Sequence, residues 1–103
     1  MTVEDKRSAL YESARQLFAE KGFKDTSVAD ITKRAGVAVG TFYIHYPSKD
    51  RLFIEIFKTE NERMFDGMAE HVDWNGEPKE VVRELLEFNL KGMLENPILR
   101  QWY

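Results

Sequence analysis

The chain contains no cysteine among its 103 residues. A disulfide scaffold, a thiolate metal site and a cysteine nucleophile are therefore excluded. Proline occurs at three positions and glycine at six, so helix-breaking punctuation is sparse. No apolar run approaches the ~20 residues that a helix needs to cross a bilayer. Glu4 and Asp5 stand where a secretory signal would carry positive charge. A cytoplasmic protein without a membrane partner is expected. The two histidines, His45 and His71, lie in separate segments. A metal site would need carboxylates brought to them by the fold, so no metal and no cofactor is expected. A positive excess is also missing, for the net charge is −3.

The acidity is unevenly placed. The first fifty residues hold eight basic and seven acidic side chains, and the remainder hold seven and eleven. A near-neutral first half presents a basic face only if its cations cluster, which is a question of fold.

What is present is helical periodicity. Leu10, Ala14, Leu17 and Phe18 fall on one face of a helix running from about Val3 to Lys21, with Gly22 as its left-handed terminus. Thr26 and Ser27 are candidate N-caps for a short second helix whose buried side is Val28, Ile31 and Ala35, ended by Gly36. A third short helix runs through Thr41, Phe42 and His45 to Pro47. Ser48 caps a fourth, whose stripe is Leu52, Phe53, Ile56, Phe57, Met64 and Met68, reaching about residue 70. Residues 73–78 read as a loop, and Pro78 opens a fifth helix with Val82, Leu85, Leu86, Met93 and Leu94 on its apolar face. Asn96-Pro97 ends that helix, and residues 98–103 open another. Strand signals are absent, so the fold class is all-α.

The segment from Thr26 to Lys49 carries the functional signal. Two short helices joined by a tight turn at Gly36 have the geometry of a helix-turn-helix, in which the second helix enters the major groove of DNA. Ala38, Val39, Gly40 and Thr41 are small enough at its start for the backbone to approach base edges. Tyr43, His45, Tyr46 and Lys49 offer hydroxyl, imidazole and ammonium groups of the kind that contact phosphates. Phe42 should point inward and hold the second helix on the first.

The series Gly36-Val37, Gly40-Thr41, Tyr43, His45-Tyr46 and Lys49 resembles the DNA-binding signature of TetR-family transcriptional regulators. Upstream, Leu17-Phe18, Gly22-Phe23, Thr26-Ser27-Val28, Ile31 and Ala35 are similar to the rest of that domain, and the likeness covers roughly residues 8–57. The resemblance implies a three-helix DNA-binding domain over 1–48, then over 49–103 the first helices of an α-helical ligand-binding and dimerisation domain. It implies a homodimer that binds a palindromic operator in double-stranded DNA and answers to a small-molecule inducer. Base contacts would fall near Ala38, Val39, Gly40 and Thr41, and phosphate contacts on Ser27, Tyr43, His45, Tyr46 and Lys49. Ala38 stands where the family often has serine, which removes one hydroxyl. Family members run to roughly twice this length or somewhat less, so the chain reads as a truncated regulator.

Blander readings exist for each feature. A generic helical bundle gives the tyrosine–histidine–lysine series no core role. Tyr43 and Tyr46 are also compatible with half-buried surface aromatics, and His45 with a structural histidine. Lys24, Lys33 and Arg34 fit solvated helix faces. Met64, Met68 and Met93 fit core packing as well as an inducer pocket. No nucleophile and acid accompany His45, so an enzyme is not expected. The alternative to DNA binding is a regulator fragment serving as a protein-interaction module.

Overall fold

The computed structural model describes residues 2–102, without the Trp102 side chain. The described residues form six helices and no strand: α1 (Val3–Lys21), α2 (Val28–Ala35), α3 (Val39–His45), α4 (Lys49–His71), α5 (Pro78–Glu95) and α6 (Pro97–Trp102). They fall into two compact units, residues 1–57 and 58–103. The division lies within α4 and not before it, because Leu52, Phe53 and Ile56 of its first turns are buried with the first unit's core.

Capping chemistry sets the helix starts. Thr2 and Asp5 form a reciprocal box at α1, and Ser27 and Asp30 form one at α2. In the second box the Ser27 hydroxyl accepts the Asp30 N–H at 3.0 Å, and the Asp30 carboxylate accepts the Ser27 N–H at 3.0 Å. The Ser48 hydroxyl accepts the Arg51 N–H at the start of α4. Of the two candidate caps for α2, only Ser27 serves. Thr26 turns inward, 1% exposed, and its hydroxyl donates to the Gly22 carbonyl at 2.8 Å.

The turn after α2 is a Schellman motif. Gly36 adopts φ +74°, its N–H bonds the Lys33 carbonyl, and the Val37 N–H bonds the Thr32 carbonyl. Tyr46 is extended, as the residue before Pro47 must be. The first unit's core is Leu10, Ala14, Leu17, Phe18, Ile31, Phe42, Tyr46, Leu52, Phe53 and Ile56. On α2 the buried residues are Ile31 and Thr32, while Val28 and Ala35 are only half-buried.

In the second unit, Met64, Val72, Ile98 and Leu99 are buried. Asn96 accepts the N–H groups of Ile98 and Leu99 and donates to Glu60 at 3.0 Å, tying the start of α6 to α4. Gly92 permits close helix approach, since a Cβ there would lie 2.7 Å from the Met64 sulfur. The expected apolar face of α5 is only partly used: Val82, Leu86 and Leu94 are more than half exposed, at 55, 65 and 60%, as is Leu90 beside them at 57%.

Two consequences are measurable. Gly36→Ala meets no steric obstacle but places a side chain at positive φ, so it should cost about 1 kcal/mol in urea unfolding. The Asp30 carboxyl is held at about 2, below its ordinary 3.8, first by the Ser27 backbone N–H and then by Lys21. Its folded value is depressed, so its contribution is present above pH 3.8 and lost as pH falls through about 2. Asp30→Asn should therefore lose less stability than the parent chain across that window in acid titrations of the fold.

Candidate nucleic-acid interface

The segment after the Gly36 turn has two faces. On the inner one, Phe42 is fully buried and its ring lies 5.8 Å from that of Tyr46. On the outer one stand Ala38, Val39, Gly40, Tyr43 and Ile44, all exposed. Gly40 and Ile44 lie opposite Phe42 in the helical repeat, while Ala38 and Val39 are exposed because they open the helix. Gly40 has open space around it, so its backbone is accessible. Thr41 and His45 border this face and are half-buried. Ser27 is exposed, but it caps α2 and is not on the outer face of α3.

Two expected phosphate ligands are placed differently. Tyr46, expected at a phosphate, is only 3% exposed and its side chain packs in the first unit's core. Arg7 lies over its ring, 5.4 Å from the centroid. Burial, then the nearby Glu55 carboxylate, pushes the Tyr46 hydroxyl above the usual phenol range. Arg7 also faces Glu55 at 3.6 Å, so α1, the end of α3 and the start of α4 meet at one polar cluster.

Lys49 is committed in part to the fold. Its ammonium donates to the carbonyls of Phe23 and Thr26, each at 2.9 Å, and lies 4.2 Å from the centroid of the Phe23 ring. Two of its three donors are thus used inside the first unit. The Phe23 ring in turn sits 5.7 Å from Phe18 and 5.0 Å from Phe53, closing an aromatic cluster beneath the turn.

Four cations of the first unit face acids, Arg7 among them. Arg15 pairs with Glu12, Lys21 with Asp30 at 3.2 Å, and Arg34 with Glu20 at 3.1 Å. Lys24 and Lys33 are exposed without a carboxylate partner among the described residues. Ile44, 77% exposed, is the outer-face residue that the sequence reading passed over. Its signal was present in the helical register: it lies four residues after Gly40 and beside Tyr43. Among the described residues no group of three metal-ligating side chains occurs, and no helix is long and apolar enough to cross a membrane.

A short helix, a glycine turn and a second short helix with a bare outer face, braced by a third helix, define a helix-turn-helix domain. Residues 10–56 match the family model described as bacterial regulatory proteins, tetR family. The chain is 32% identical over 85 residues to the HTH-type transcriptional regulator AcrR of Shigella flexneri, covering 82% of this chain and 40% of that protein. It is 31% identical over 96 residues to the HTH-type transcriptional repressor AcnR of Corynebacterium efficiens, covering 93% of this chain and 44% of the other. A TetR-like transcriptional regulator from Rhodococcus sp. RHA1 superposes with a TM-score of 0.73 at 25% identity, covering 95% of this chain and 56% of that one. The chain belongs to the TetR family of transcriptional regulators. It spans less than half the length of the two curated relatives.

Lys49→Met keeps the aliphatic stem and removes the donors. It should lower unfolding free energy by about 2 kcal/mol, the range for hydrogen bonds to a charged group. Unchanged stability in urea titration would return Lys49 to the role of a free surface cation.

Proposed function

We propose that the chain is a sequence-specific DNA-binding regulator, acting as a ligand-responsive repressor on a palindromic operator. The observation that carries this reading is the outer face of α3. It is exposed, small at its start, and held by a buried Phe42 on the opposite side. Ala38, Val39, Gly40 and Thr41 would meet base edges. Ser27, the Tyr43 hydroxyl, His45 and the third Lys49 donor would meet phosphates. A homodimer would set two α3 helices in successive major grooves, roughly 34 Å apart.

The apolar stripe of Val82, Leu86, Leu90 and Leu94 supports an assembly larger than this chain alone. In the second unit an open cleft of about 420 Å³, lined by Arg63, Met64, Phe88 and Asn96 among others, supports the start of an inducer site. Inducer binding would act through α4, a single helix belonging to both units, and change the spacing of the two heads. The relatives are named as transcriptional regulators, which favours this reading over an interaction module without DNA binding and over an enzyme. A regulator of this kind works in the cytoplasm.

Tyr43→Phe removes one hydroxyl at an exposed position. It should weaken binding to all duplexes alike, by about three- to tenfold. Substituting Val39 or Thr41 should instead change which sequence is preferred. Gel-shift titrations against selected and scrambled duplexes check both, and undiminished binding of the Tyr43 variant would remove its assigned phosphate contact.

A further inference from the structure

Ile44 is more exposed than any other large apolar residue described, at 77%. Val39, at 47%, is exposed in the first turn of α3. An isoleucine held out in water on a helix whose opposite side is fully buried has no packing role in the first unit. Between Ala38 and Tyr46 there is no arginine, lysine, asparagine, glutamine, aspartate or glutamate. The side chains that form paired hydrogen bonds with guanine or adenine edges are therefore missing from the helix. The polar side chains at its border, Thr41 and His45, are half-buried. Arg7, Arg15, Lys21 and Arg34 of the first unit are engaged with carboxylates.

This inference rests on the reading that α3 enters the major groove. Given that, we propose that the chain selects its site by apolar contact with thymine C5-methyl groups, with Ile44 and Val39 as specificity-determining residues. Among the four bases only thymine offers an alkyl group on its major-groove edge. A branched aliphatic side chain gains by covering that methyl and gains nothing from the polar edges of the other bases. Burying one methyl corresponds to about a fourfold change in affinity.

The test uses duplexes enriched by the chain from random-sequence DNA. Each thymine of the enriched site is replaced in turn by deoxyuridine, which keeps every hydrogen-bonding group and lacks only the methyl. Affinity should fall about fourfold at the contacted positions. Ile44→Ala should bind more weakly and lose the difference between thymine and deoxyuridine at one of those positions. Its melting temperature should be unchanged, since the side chain is exposed. Specific enrichment with no position sensitive to deoxyuridine, or sensitivity that survives in both Ile44→Ala and Val39→Ala, overturns the proposal and leaves DNA binding intact. Failure to enrich any sequence overturns DNA reading itself, and this proposal with it.

Discussion

The Lys49 ammonium is the point on which the first unit turns. It binds the carbonyls that flank the sharp descent from α1 to α2, those of Phe23 and Thr26, and rests on the Phe23 ring. The Phe23 carbonyl also accepts the Thr26 N–H at 3.3 Å, and removing the charged donor from the turn would cost about 1–3 kcal/mol. With the turn held, Thr26 faces inward to the Gly22 carbonyl and Ser27 falls in place as the cap of α2. The start of α2 is thereby set, and with it the position of Gly36 and the departure of α3. A cation placed at the head of α4 thus governs where the outer face of α3 points.

The same economy explains the electrostatics. A domain that acts on a polyanion is expected to hold free positive charge. Here Arg7, Arg15, Lys21 and Arg34 face acids, and Lys49 faces carbonyls. Exposed ion pairs of this kind are worth little to stability and can exchange one partner for a phosphate. Lys24 and Lys33, exposed without a carboxylate partner among the described residues, are the cations that need no exchange to meet a phosphate.

Much of the fold was legible from sequence because its boundaries are written in local chemistry. Asp30 three residues after Ser27, Gly36 after α2, Pro47 after α3 and Pro78 at the head of α5 each act within a few residues of the chain. What was not legible depended on side-chain direction set by distant partners. Tyr46 and Lys49 look like phosphate ligands by residue type, and only α1 and the Phe23 turn, far away in sequence, draw them inward. Thr26 and Ser27 were equivalent as caps until the Gly22 carbonyl claimed the first. The α5 stripe read as core because its periodicity is correct, yet Val82, Leu86 and Leu94 remain exposed. Ile44 was hidden by the opposite bias, since an isoleucine is assumed to be interior.

The central claim is that the outer face of α3 is the surface that reads DNA, with phosphate contacts at its rim. A heteronuclear NMR titration of the labelled chain with a duplex selected for tight binding tests this most directly. Shifts concentrated at Ala38, Val39, Gly40, Tyr43 and Ile44, with the Tyr46 ring and the α5 stripe undisturbed, are the predicted result. Shifts centred on the α5 stripe, or a Tyr46 ring that changes environment as much as Tyr43, would contradict it.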